Sequence, residues 1–128
     1  MSNKEQIEQT IQTYYDCMCE SSAEKVHEAF HPNAKITGYL EDGLHEMTVS
    51  EFASFIESQQ PSPKESGGSV RLDVLSISIA GNIAVAQVRD DYLGMVFLDI
   101  LTLLKDGGKW SIYNKLFHVE EPANEDGK

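Results

Sequence analysis

Residues 97–118 read FLDILTLLKDGGKWSIYNKLFH. Two apolar runs flank Asp106-Gly107-Gly108, a hairpin signal between two strands, Met95 to Leu104 and Trp110 to Val119. A four-residue loop, Lys105–Gly108, sets Leu103 opposite Trp110, Leu101 opposite Ile112, Asp99 opposite Asn114 and Phe97 opposite Leu116. One face then carries Phe97, Leu101, Leu103, Trp110, Ile112 and Leu116, with Asp99, Asn114 and His118 embedded in it. That face is too apolar to be solvated, so it lines the core. A three-residue loop would place Asp99 opposite Lys115 instead, because a slip of one residue turns the partner strand over. The first register is preferred because it groups Trp110 and Ile112 with Leu103 and Leu101. It leaves Val96, Leu98, Ile100, Leu104, Tyr113 and Phe117 on the other face, with Lys115 among them.

Upstream, Ile83 to Tyr92 reads as a strand preceded by the tight turn Gly81-Asn82. Val70, Leu72 and Val74 alternate, then Ile77 and Ile79 alternate on the opposite parity, which places a bulge near Leu75. These strands and the closing hairpin form a four-strand antiparallel meander. Before it, Ile7, Ile11, Tyr14, Tyr15 and Met18 form the stripe of an amphipathic helix over residues 3–20. Capping-box spacing occurs at Ser2/Glu5, Ser21/Glu24 and Thr48/Glu51, so three helices are expected. The second stops at His31, before Pro32. Residues 34–40 and Leu44 to Met47 read as short strands around a Glu41-Asp42-Gly43 turn, and residues 59–68 as a loop. Helices towards one end and strands towards the other give an α+β class. A long antiparallel sheet twists. Wrapped around a few helices, it makes a cone rather than a flat slab. One domain is expected over 1–128, with a core from about residue 3 to 120 and an acidic tail at 121–128.

The charge balance is strongly acidic: 10 basic against 21 acidic residues, a net charge of −11. Such a chain repels phosphate backbones and anionic lipid, so neither nucleic acid nor a membrane is an expected partner. No apolar run has signal-peptide or membrane-spanning length, and Cys17 and Cys19 have neither redox nor zinc spacing. A cytoplasmic protein with no metal and no cofactor is expected. His27 and His31 are four apart, but Pro32 ends the helix there and no H-E-x-x-H is present.

YYDCM (14–18), FHPNAKITGYL (30–40), HEMTVSEFASFI (45–56), GNIAVAQV (81–88) and the closing hairpin, taken in order, resemble the nuclear transport factor 2-like superfamily. Within it the resemblance is closest to the SnoaL-like branch named "Putative lumazine-binding", over about residues 7 to 119. It implies a cone-shaped, cystatin-like α+β barrel with an apolar pocket and a homodimer. Some proteins of this fold are ketosteroid isomerases, polyketide cyclases or dehydratases, and others bind ligands or partners without chemistry. The isomerases use a tyrosine on the first helix and a neutral carboxylic acid on a late strand, with an aspartate base on the first long strand. Tyr14 or Tyr15 matches the first and Asp99 the second, while the base position falls at or near Gly38.

The resulting expectation is a small apolar or aromatic molecule held in the cone by Tyr14, Tyr15, Phe97, Asp99, Trp110, Asn114 and His118. The alternative is a proton-transfer enzyme (isomerase, cyclase or dehydratase) with Asp99, His118 and Tyr14 as its catalytic groups, since a carboxyl in an apolar cavity has a raised pKa and a histidine titrates near neutrality. A third possibility is a dimeric interaction module without a ligand. Because the back of the sheet is also apolar and the helices cover one side only, a homodimer through the outer sheet face is expected.

Overall fold

The helical stripe at the N-terminus forms as its spacing predicts. In the computed structural model, which describes residues 1–68 and 70–122, α1 (Asn3–Glu20) buries Ile7, Ile11, Tyr14, Cys17 and Met18. Ser2 and Glu5 close its capping box. Ser21 ends α1 in the left-handed region, at φ 51°, so the next cap falls one residue later than expected. Ser22, not Ser21, caps α2 (Ala23–Ala29), accepting from the Lys25 amide at 3.1 Å. Two consecutive helices need one residue to close the first and another to open the second.

The chain then runs through β1 (Phe30–Leu40), β2 (Gly43–Thr48), α3 (Val49–Glu57) with its Thr48/Glu51 capping box, and α4 (Pro63–Ser66). The last is a single turn inside the expected loop, capped by Ser62 and Glu65. The meander follows as β3 (Arg71–Ala80), β4 (Ile83–Tyr92), β5 (Met95–Asp106) and β6 (Lys109–Pro122). The expected tail lies outside the described residues from 123 onwards. The sheet order is β2-β1-β6-β5-β4-β3. All neighbours are antiparallel except β1 and β6, which are parallel. The curved sheet holds α1 on its inner side, and the fold is of the expected α+β class. The bulge expected near Leu75 falls between Val74 and Ser76. Among the described residues no helix is long and apolar enough to cross a membrane.

The closing hairpin departs from both expected registers. Its turn has two residues, Gly107 and Gly108, at φ +60° and +82°, so Asp106 pairs with Lys109 and Leu103 with Ile112. Two positive φ angles suit the primed turns that match strand twist, and glycine reaches them without strain. A second shift follows: Thr102 pairs with Asn114, and Tyr113 is the extra residue. Bulging one residue reverses the parity of everything beyond it. Trp110 and Ile112 therefore face the core as expected, but Asn114, Leu116 and His118 turn outward. Lys115 and Phe117, expected on the back, turn inward. Asp99 lies opposite Phe117 rather than Asn114 or Lys115.

Candidate functional site

Four chemically active side chains converge inside the cone. Tyr14 comes from α1, Asp90 from β4, Asp99 from β5 and Lys115 from β6. Asp99 pairs with Val88 and Asp90 with Phe97, so the two carboxyls sit diagonally on the inner face of adjacent strands. Side chains in that relation can reach one another. Tyr14 and Asp99 are fully buried, Asp90 is 1% exposed and Lys115 8%. The Tyr14 hydroxyl donates to Asp99 Oδ2 at 2.9 Å. The Lys115 ammonium lies 4.9 Å from the Tyr14 ring centre, 4.8 Å from that of Phe52 and 5.7 Å from that of Phe117. Ring faces attract a cation, most of all when it is desolvated.

The electrostatics follow from this burial. Burial pushes the Asp90 carboxyl up to about 10; its hydrogen bond to Asp99 and the charge there add to the effect, and Lys115 opposes it. Asp90 thus keeps its proton at pH 7. Asp90 Oδ2 and Asp99 Oδ1 are buried without a hydrogen-bond partner among the described residues. Burial and the two carboxyls keep the Tyr14 phenol protonated far above its ordinary range. The buried Cys17 thiol is pushed up to about 12, chiefly by desolvation, which makes it a poor nucleophile. The Tyr92 hydroxyl is buried without a partner among the described residues.

Among the described residues, side chains rather than open space pack around this cluster. Tyr14 packs edge-on against Phe30 at 5.7 Å, and Phe30 against Phe52 at 5.6 Å, so aromatic rings occupy the interior. Two open clefts of about 470 Å³ each lie elsewhere among the described residues and are lined by other side chains. Towards solvent the cluster is covered by Phe97 and Phe117, opposite Asp90 and Asp99 in the ladders, half-buried and 5.8 Å apart edge-to-face. Phe117 also fills the space over Gly38: a Cβ there would overlap the Phe117 ring and carbonyl oxygen, so the matched isomerase-base position carries a ring instead.

Of the residues singled out in the sequence, Tyr14 and Asp99 meet and Phe97 stands at the rim. Tyr15 is elsewhere, its hydroxyl donating to the Val70 carbonyl at 2.9 Å, which ties α1 to the start of β3. Trp110 is core at the hairpin end, its indole N–H donating to Asn3 Oδ1 at 3.1 Å. Asn114 and the exposed His118 lie on the outer face, beyond the Tyr113 bulge, and do not join the cluster. Two members were not anticipated. Asp90 continues the alternation Ala84, Ala86, Val88 and precedes Tyr92 on the same parity, a pattern that points it inward. Lys115 had no such signal, because its direction depends on the bulge.

Residues 2–118 match the model of a family described as "Putative lumazine-binding". The chain is 28% identical over 109 residues to the aldolase FrzH of a Cladobotryum species, covering 85% of each protein. A solved NTF2-like protein of unknown function from Silicibacter pomeroyi DSS-3 superimposes with a TM-score of 0.82 at 25% identity, covering 94% of this chain and 100% of that one. Another, from Methylobacillus flagellatus KT, gives 0.81 at 29% identity, covering 94% and 95%.

Proposed function

The chain belongs to the Putative lumazine-binding family of NTF2-like proteins, and on that footing we propose that it binds a small, largely apolar or aromatic molecule carrying a ring carbonyl. Tyr14, Asp90 and Asp99 grip its polar end, and the Phe97–Phe117 pair parts to admit it. The observation that carries this reading is the buried carboxyl pair, with Asp90 Oδ2 and Asp99 Oδ1 left without a hydrogen-bond partner among the described residues. Holding a carboxyl neutral inside an apolar core lowers stability at neutral pH, and apolar replacements of such groups are often neutral or stabilising. Perturbed acids of this kind concentrate at functional sites. The unpartnered Tyr92 hydroxyl is a further donor for a carbonyl oxygen.

A thermal-shift screen of ring carbonyl compounds, lumazine and quinones among them, tests this. A ligand at about ten times its Kd adds about 1.4 kcal/mol, a rise of several degrees in Tm. Tyr14→Phe and Asp99→Asn should shrink the rise. No rise with any compound, or one that neither variant changes, would overturn the reading.

A second reading is carbonyl chemistry at the same place. Two carboxyls set diagonally on adjacent strands, one of them holding its proton, make a general acid and a general base, with Asp90 as the acid and Asp99 as the base. The likeness to an aldolase favours it. In the same panel, kept in D2O, hydrogens next to the carbonyl of a bound ketone should exchange faster with wild-type protein than with Asp99→Asn.

We also propose that the outer sheet face meets a second copy of the chain. Ile83, Val85 and Leu116 are 61%, 38% and 52% exposed there, beside half-buried Leu98, Ile100 and Leu104. Outward positions 83–87, 98–104 and 114–116 carry no charge, and the Arg89–Glu120 pair at 2.7 Å stands beyond them. Two chains of net charge −11 repel unless they approach through such a charge-free panel. Light scattering should find a dimer that Leu116→Glu splits; a monomeric wild-type chain would refute the pairing. Free Cys17 and Cys19 suit a reducing cytoplasm as the place of work.

A further inference from the structure

We propose that Lys115 is a nucleophile that forms a covalent imine with a small aldehyde or ketone bound in the cone. The inference rests on the carbonyl reading of the site and extends it to a residue that reading leaves unused. Lys115 is the least buried of the four groups, at 8% exposure. Its ammonium rests against the rings of Tyr14, Phe52 and Phe117, and among the described residues no carboxylate lies within salt-bridge distance. The neighbouring carboxyl pair supplies the acid and the base that imine formation requires. The buried Cys17 thiol, held protonated, is no rival nucleophile.

The step balances within the site. A water molecule relays one proton from the Lys115 ammonium to Asp99. The Lys115 nitrogen then attacks the carbonyl carbon, forming a C–N bond while the carbonyl oxygen takes a proton from Asp90. The nitrogen, which still carries two protons, gives one to the Asp90 carboxylate; the hydroxyl takes the proton held by Asp99 and leaves as water, and the C=N bond forms as an iminium that keeps the last nitrogen proton. One water is released, no electron changes hands, and the substrate needs no group beyond an aldehyde or ketone small enough to pass Phe97 and Phe117.

The experiment is reductive trapping. Full-length protein is incubated with benzaldehyde or acetone and cyanoborohydride at neutral pH, and labelled lysines are mapped by mass spectrometry. Acid–base assistance is worth about 10²-fold or more, so Lys115 should be labelled before exposed Lys35 and Lys64. Asp90→Asn should slow its labelling towards theirs. Lys115→Arg keeps the cation, so the variant should remain folded by circular dichroism and lose only the early label. Labelling of Lys115 no faster than that of Lys35 overturns the imine. If ring carbonyl compounds still raise Tm in that case, the imine alone has failed; if none does, the binding reading fails with it.

Discussion

Replacing Asp90 by Asn should flatten the dependence of stability on pH between about 6 and 9. In the folded chain the Asp90 carboxyl, pushed up to about 10, keeps its proton, whereas the unfolded chain releases it near the ordinary value of 3.8. Between those values the folded state holds more protons than the unfolded state. Raising the pH therefore favours unfolding, and this contribution levels off only above the folded value. The slope for one group is about 1.4 kcal/mol per pH unit, so wild-type protein should lose about 4 kcal/mol from this source over three units. Asparagine supplies an N–H to Asp99 where the acid supplied an O–H, and it does not titrate. Urea denaturation of both proteins at pH 6, 7, 8 and 9 measures the difference. The two curves should diverge with rising pH, with the variant the more stable at pH 9. Parallel curves would mean that Asp90 is ionised in the folded chain, and the acid assigned to the site would be lost.

Trp110→Ala should cost about 3–5 kcal/mol and lower Tm by about 10–20 °C. Trp110 is 1% exposed, and its indole N–H holds Asn3 Oδ1, which also accepts from Lys105 Nζ at 3.3 Å. Thr10 Oγ1 donates to the Trp110 carbonyl at 3.1 Å. The indole thus fills the hairpin end of the core and holds the first turns of α1, the helix that carries Tyr14. Truncation leaves a cavity and an unpaired side-chain oxygen together. Trp110→Phe restores most of the volume without the N–H and should fall between the two. A loss below about 1 kcal/mol for alanine would show that this end collapses around the gap. Because Trp110 lies away from the carboxyl pair along the sheet, its effect should add to that of Asp90→Asn rather than couple to it.

The two site residues found in the sequence were legible for different reasons. Tyr14 lies on a helical stripe whose period marks the buried side whatever it packs against. Asp99 alternates with Phe97, Leu101 and Leu103 within a single strand, so its direction did not depend on the partner strand. Asp90 was legible by the same alternation along β4. His118 and Asn114 were misplaced because their direction was inferred across a hairpin, where loop length and any bulge both enter.

What the sequence determined by itself is local: the helical stripes, the strands with their alternation, a hairpin at Asp106–Gly108 and an apolar back on an acidic chain. Each depends on contacts a few residues apart. Only the tertiary structure decided which charged group joins the carboxyls. The extra residue at Tyr113 changes which side of β6 is buried, and its place is set by ladder hydrogen bonds to β5 and by β1 closing against Phe117 at Gly38. That one step turns a lysine in and a histidine out, because side chains along a strand alternate with a period of two and have no other way to change face.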